Sequence, residues 1–170
     1  RNPSTQTHNL SVNGGSDKVR YFGAASYVKQ TGFLDPLKYD KYNIRMNVTA
    51  DITKDLEIFS GFALYNNFTG NAVFEDAQAN YGKMRVWQPD QPVYTDNGQY
   101  VDYGWIANMG ASVDGTAGYN RSQMLKPQLI LSGTYKAPFL EGLKAKVSYA
   151  RSWANELNRK FYKNYPVFSM

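Results

Sequence analysis

Cysteine is absent from the chain and histidine occurs once, at His8. Without cysteine there is no disulfide framework and no thiolate metal site. A solitary histidine cannot assemble a histidine-based metal centre, and any nucleophilic triad would have to be built around His8 alone. Long apolar runs are missing too. No stretch approaches the ~20 residues a membrane helix needs, and the mean hydropathy is only -0.55. That does not exclude a membrane β-barrel, whose strands alternate and average out to polar. Charge of one sign is thin and dispersed: the formal net charge is +5, and Lys18, Arg20, Lys29, Arg45, Lys54, Lys83 and Arg85 stand singly. Nucleic-acid binding needs a concentrated basic patch, so no nucleic acid is expected as a partner. The opening residues RNPSTQTH lack the basic and apolar regions of a signal peptide. The chain is therefore expected to be mature, processed or a piece of something larger.

What is abundant is aromatic character and period-2 alternation. Aromatic residues make up 15% of the chain, led by 14 tyrosines. The stretch HNLSVNGGSDKVRYFGAASY, residues 8–27, reads as a β-hairpin, with Leu10 and Val12 on one side and Asn9, Ser11 and Asn13 on the other. Its break, Gly14-Gly15-Ser16-Asp17, is expected to turn on glycines with positive φ. Strands are predicted at about residues 5–13, 18–31, 41–52, 56–69, 123–136 and 143–154. The third is the cleanest: Tyr42, Ile44, Met46, Val48, Ala50 and Ile52 alternate with Asn43, Arg45, Asn47, Thr49 and Asp51. Pro127 lies inside the fifth and predicts an irregular or edge start to it.

Between residues 70 and 122 alternation fades and Gly, Asn and Asp become frequent. A short helix over residues 74–83 and a small hairpin around Asn97-Gly98 are predicted within this segment. Numbered along the chain, the connections run short, medium, short, very long and short. In an up-and-down meander the short ones all fall at one end of the sheet. Outer-membrane barrels sort their loops in this way, with short periplasmic turns and long extracellular loops. Strands of a dozen residues exceed the usual globular length of about five or six and suit a tilted span of the bilayer. Tyr27, Tyr42, Tyr65 and Trp153 gather towards the long-loop end, and Tyr21, Phe59 and Tyr135 towards the other, where two aromatic belts would lie.

The residues then carry a family resemblance. Asn9-Leu10-Ser11-Val12-Asn13-Gly14-Gly15, Tyr21-Phe22, Thr31-Gly32-Phe33, the run YDKYNIRMN at residues 39–47 and Ile52-Thr53-Lys54-Asp55-Leu56 resemble the early barrel of SusC/RagA-type TonB-dependent outer-membrane transporters. The match is dense over residues 8–62, thins through the long loop and returns weakly at residues 142–149. The resemblance implies a barrel of about 22 strands filled by a plug, of which this chain holds about six strands and neither plug nor TonB box. It also implies import of oligosaccharides or peptides, a SusD-like surface lipoprotein as partner, energy from the TonB complex, and a place in the outer membrane. No cofactor follows from it. The expected fold is thus all-β: an antiparallel up-and-down meander within a transmembrane barrel, its 70–122 loop extracellular.

On this reading Tyr42, Ile44, Met46, Val48 and Ala50 face lipid, and the other side of the strand faces the barrel interior. The long loop holds the candidates for contact with ligand or partner. Trp87, Tyr94, Tyr100, Tyr103 and Trp105 offer flat faces to sugar rings or peptide side chains, while Asp96 and Asn97, with Asp90 and Asn108, can hydrogen-bond hydroxyls. A loop of this length also needs a small core, which the same aromatics would supply. No catalytic constellation emerges, since the carboxylates are scattered over turns and loops and Gly14-Gly15 is followed by a strand, not the helix of a phosphate loop. The competing readings are a soluble or cell-surface carbohydrate-binding β-sandwich and a β-rich glycan-active enzyme. The second would need a close carboxylate pair in a cleft.

Overall fold

The structure is a computed structural model that describes residues 2–73, 90–102, 104, 108–140 and 142–168. Alternation becomes one long antiparallel sheet. Its strands are β1 (Ser4–Gly15), β2 (Val19–Thr31), β3 (Lys38–Asp51), β4 (Leu56–Asn71), β6 (Gly118–Lys136), β7 (Lys144–Ser152) and β8 (Asn155–Tyr162). They pair in the order β1-β2-β3-β4-β6-β7, with β8 also on β6. The short pieces β5 (Tyr100–Val101), α1 (Met109–Val113) and β9 (Val167–Phe168) lie outside this sheet. The up-and-down meander is the architecture of a β-barrel segment.

β7 and β8 are one strand in two pieces. Gln128 pairs with Ser152 and Leu125 with Asn155, so the register continues unbroken past Trp153 and Ala154. The gap sits opposite Pro127. In an antiparallel ladder a residue's N–H and C=O point to the same neighbour, and the Pro127 carbonyl accepts the Trp153 N–H at 3.0 Å. The N–H that proline lacks is therefore missing on the β7–β8 side, while the β4 side, where Leu64 stands opposite, loses nothing. The expectation of an irregular or edge start at Pro127 is corrected: β6 is paired on both flanks and runs nine residues ahead of the proline, from Gly118. The last strand likewise runs on to Tyr162, beyond the expected end at residue 154.

The first turn also differs from expectation. Gly14 and Gly15 are still in β1 and neither has positive φ. Ser16 makes the turn instead: its N–H donates to the Val19 carbonyl at 2.7 Å, and its Oγ accepts from the Lys18 and Val19 N–H groups. The glycines are there for close approach. A Cβ on Gly14 would stand 2.6 Å from the Tyr21 hydroxyl, and one on Gly15 2.4 Å from the Val19 carbonyl.

Almost nothing in the sheet is buried. Among the described residues the buried apolar side chains are Leu34, Ala72, Val73, Val101, Met109, Ala111 and Ala117, all in the connections at one end. Val73, Ala111 and Ala117 form a small cluster against which Tyr100 and Tyr165 pack. The hydrophobic core therefore belongs to the loop cap.

Candidate functional site

Strand register assigns each side chain to a face. On one face lie Leu10, Ala25, Ile44 and Leu64 in a row, then Val12, Gly23, Met46, Phe62 and Leu129, then Tyr21, Val48, Leu131 and Tyr149. On the other lie Asn9, Ser26, Asn43 and Tyr65, then Ser11, Ala24, Arg45 and Gln128, then Arg20, Thr49, Phe59 and Ser132. One face is apolar and the other largely polar, as the alternation of β3 dictates.

Tyr42, Ile44, Met46 and Val48 are 43%, 40%, 55% and 40% exposed, and Ala50 is half-buried. Across the sheet Asn43, Asn47 and Thr49 are half-buried. Tyr42, Ile44, Met46 and Val48 are thus more open than Asn43, Asn47 and Thr49. Arg45 alone of their interleaved polar neighbours is exposed, and no second layer of described residues covers the apolar side chains. Arg151 interrupts the apolar face beside Leu129, with its guanidinium 4.8 Å from the Trp153 ring centre.

A ladder of rings crosses the apolar face near the long-loop end. His8 and Tyr27 stack at 6.3 Å, Tyr27 and Tyr42 at 4.8 Å, and Tyr42 meets Phe68 edge-on at 6.3 Å. Tyr21 and Tyr135 lie on the same face towards the short turns. Tyr65 and Phe59 do not belong with them: register puts both on the polar face. There the Tyr65 hydroxyl accepts from Arg45 Nη2 at 3.3 Å.

The polar face holds a groove of 340 Å³ lined in part by Asn9, Ser26, Asn43, Arg45 and Tyr65. Asn43 Oδ1 is buried without a hydrogen-bond partner among the described residues, so the groove's accessible polar groups are those of residues such as Arg45 and Tyr65. Such a surface can bind hydroxyls or peptide amides. Nearer the short turns Arg20 bridges strands, reaching Asp51 at 3.4 Å and Glu57 at 2.9 Å. Among the described residues there is no group of three or more His, Cys, Asp or Glu able to hold a metal.

In the loop cap, Trp87, Tyr103 and Trp105 lie outside the described residues, as does the segment 74–83 where a helix is expected. Tyr94, Tyr100, Asp96 and Asn97 are placed. The Asn97-Gly98 turn closes through Gly98 N–H to Thr95 O at 2.9 Å and Thr95 N–H to Gln99 O at 2.8 Å, with Gly98 at φ 75°, a value that favours glycine. Asp96 and Asn97 are exposed at its tip. Tyr94 and Tyr100 face each other across the turn at 5.4 Å. Tyr100 then meets Tyr165 edge-on at 5.4 Å and donates its hydroxyl to Asp114. Burial, reinforced by that bond, raises the Tyr100 pKa; burial likewise raises that of Tyr165.

Asn108, read from sequence as a ligand-facing amide, is 2% exposed. Its Nδ2 donates to the carbonyls of Val93 at 2.8 Å and Val101 at 3.1 Å, and its Oδ1 accepts the Gly110 N–H at 2.9 Å. It ties the loop together and has nothing left for a ligand. Tyr165 was missed because it comes from the unpatterned tail. The tail returns to the cap through β9, which runs parallel to β5 with Tyr100 opposite Val167.

No protein-family profile matches the chain. TonB-dependent receptor P26 of Formosa agariphila is 27% identical to it over 116 residues, which cover 63% of this chain and 11% of that receptor. The chain is thus similar to part of a TonB-dependent receptor, and it spans only a small part of that receptor's length.

Proposed function

We propose that this chain is a section of wall, with its extracellular cap, of a TonB-dependent transporter in the bacterial outer membrane. The carrying observation is the division of the sheet into an open apolar face and a polar face, with the buried core confined to the loops. A water-soluble protein would leave a large exposed apolar surface uncovered, whereas lipid is its natural solvent. Dimensions support this. From Asn66, opposite Tyr42, to Leu56, opposite Tyr135, β4 advances ten residues. At about 3.3 Å per residue and a tilt of about 45°, the two aromatic levels stand about 23 Å apart, close to the ~25 Å apolar band of outer-membrane barrels. Tyr42, Ile44, Met46, Val48 and Ala50 then meet lipid, and the Asn43–Arg45–Tyr65 groove lines the path.

Within that transporter the cargo is an oligosaccharide or peptide. Tyr94, Asp96 and Asn97, together with Trp87, Tyr103 and Trp105, are the surface for cargo or for a SusD-like lipoprotein, and Tyr100 braces Tyr94 from the cap core. TonB drives the cycle through parts of the protein other than this wall. The remaining barrel strands would cover the free edges of β1 and of β7–β8, because lipid leaves no partner for open backbone groups.

Single cysteines test the wall directly, since this chain has none of its own. In the whole gene product in native outer membrane, with any cysteine outside this chain replaced, Ile44→Cys, Met46→Cys or Val48→Cys should react with lipid-phase reagents and Asn43→Cys, Arg45→Cys or Asn47→Cys with aqueous ones. Aqueous labelling of both sets, or recovery of the protein in the soluble fraction without detergent, would overturn the proposal.

A further inference from the structure

We propose that the apolar face carries, just beyond its upper aromatic level, a binding site for a phosphorylated glycolipid of the outer leaflet. This inference rests on the outer-membrane reading above. A groove of 730 Å³ lies at the long-loop end of the sheet between β3, β4, β6 and β8. Its chemistry changes in order along the strands. Nearest the aromatic ladder are Asp40, Phe68, Gln123 and Leu157, in one register row. The next row outward on that face is Lys38, Gly70, Arg121 and Arg159. The row beyond is Tyr119 and Phe161, whose rings lie 5.5 Å apart and tilted by 30°.

Three observations make this a place for an anion with an acyl tail below and a sugar above. First, Arg121 and Arg159 stand directly opposite each other, an arrangement that costs stability unless an anion lies between like charges. Neither makes an ion pair among the described residues; Arg121 sits 4.4 Å over the Tyr119 ring. Secondly, Gly70 puts no side chain between Lys38 and Arg121; the Pro36 carbonyl occupies the space over it, 2.7 Å from where a Cβ would stand. Thirdly, two carboxylates in the groove are engaged by tyrosines: Asp40 accepts from Tyr27 at 2.7 Å, and Asp114 from Tyr100. Asp35 also lines the groove and narrows the choice of anion without removing the three-cation row. A single arginine binds phosphate in a bidentate fork, and the row stands where lipid headgroups begin. Acyl chains would run down past Phe68 and Leu157, and the Tyr119–Phe161 pair would support the sugar ring.

The test uses the whole gene product in neutral detergent, with fluorescent lipid A as probe and inorganic phosphate as competitor. Arg121→Gln/Arg159→Gln should bind lipid A about thirty-fold more weakly, since each cation at a membrane surface is worth about a factor of five. Arg121→Lys/Arg159→Lys should recover most of the binding, and the distant Lys54→Gln/Lys144→Gln should match the wild type. Equal binding by the Gln variant, in protein that still shows the heat-dependent gel migration of a folded barrel, overturns the lipid site and leaves the transporter wall standing. Displacement by inorganic phosphate at concentrations equal to the lipid also overturns it, in favour of a free-anion site. A wild-type protein that shows no barrel migration sinks both.

Discussion

Trp153 gives its backbone N–H to Pro127 at 3.0 Å and gets none in return, because proline has no N–H to give. That single missing donor divides what is otherwise one strand into β7 and β8. Pro127→Ala should restore the bond. The gain of about 1 kcal/mol for a ladder hydrogen bond is partly offset by about 0.4–1 kcal/mol for the looser unfolded chain, so global stability should rise only slightly. The clearer readout is amide exchange: residue 127 should be protected and the amide of Asn155, which also points to β6, should slow. Unchanged exchange at 155 would assign the break to Trp153-Ala154 itself.

Asn108 holds the loop cap from inside. Asn108→Ala would strand the Val101 carbonyl, leave the Val93 carbonyl with only the Val101 N–H at 3.2 Å, and uncap α1. At about 1–3 kcal/mol for a buried group left unpaired and about 1 kcal/mol for the cap, a local loss of about 2–4 kcal/mol is expected. Limited proteolysis should then cut within residues 90–117 while the strands stay intact. Simultaneous loss of strand protection would show that cap and sheet fold as one unit.

The strands and their faces were legible because period 2 is a local property: parity alone puts Ile44 with Leu64 and Arg45 with Gln128. The same parity already separated Tyr65 and Phe59 from the aromatic levels they were grouped with; nearness to a strand end obscured it. Gly14 and Gly15 were misread because close approach to Tyr21 and Val19 depends on a partner strand, not on the dipeptide. Asn108 and Tyr165 were out of reach for a related reason. Their contacts join segments distant in sequence, and neither segment has a period that fixes which way its side chains point.

Alkaline pH should loosen the cap. The pKa values of Tyr100 and Tyr165 are raised above the ordinary 10.0 by burial, aided for Tyr100 by its bond to Asp114. A raised folded value means that the neutral phenol is favoured in the fold. That stabilisation is complete below pH 10.0 and disappears as pH climbs through the folded pKa values. Phenolate absorbance should therefore show a late-titrating fraction that Tyr100→Phe diminishes, and protease sensitivity of residues 90–117 should rise in the same interval. If all tyrosines of the cap ionise at the ordinary value, Tyr100 and Tyr165 are not packed as described.

Met46 and Asn47 are adjacent in β3 and lie on opposite faces of the sheet, so one substitution placed at each isolates the solvent of each face. Met46 sits mid-way between the aromatic levels and is 55% exposed. Lysine there would put an ammonium group near the middle of the hydrocarbon, at a cost of about 2–4 kcal/mol in a barrel. Asn47→Lys adds the same charge to the face that carries Arg45 and Gln128, where water can reach it, and should cost less than about 0.5 kcal/mol. Denaturant titration of the whole gene product in lipid vesicles measures the difference. In a soluble sandwich Met46→Lys would still be costly, because its face would be core, but the protein would then unfold without lipid and the cost would persist in plain buffer. Only in a membrane wall does the penalty depend on depth. Lysine at Val19, towards the short turns and nearer the lower aromatic level, should therefore cost measurably less than lysine at Met46, and equal penalties at the two positions would refute the lipid-facing assignment.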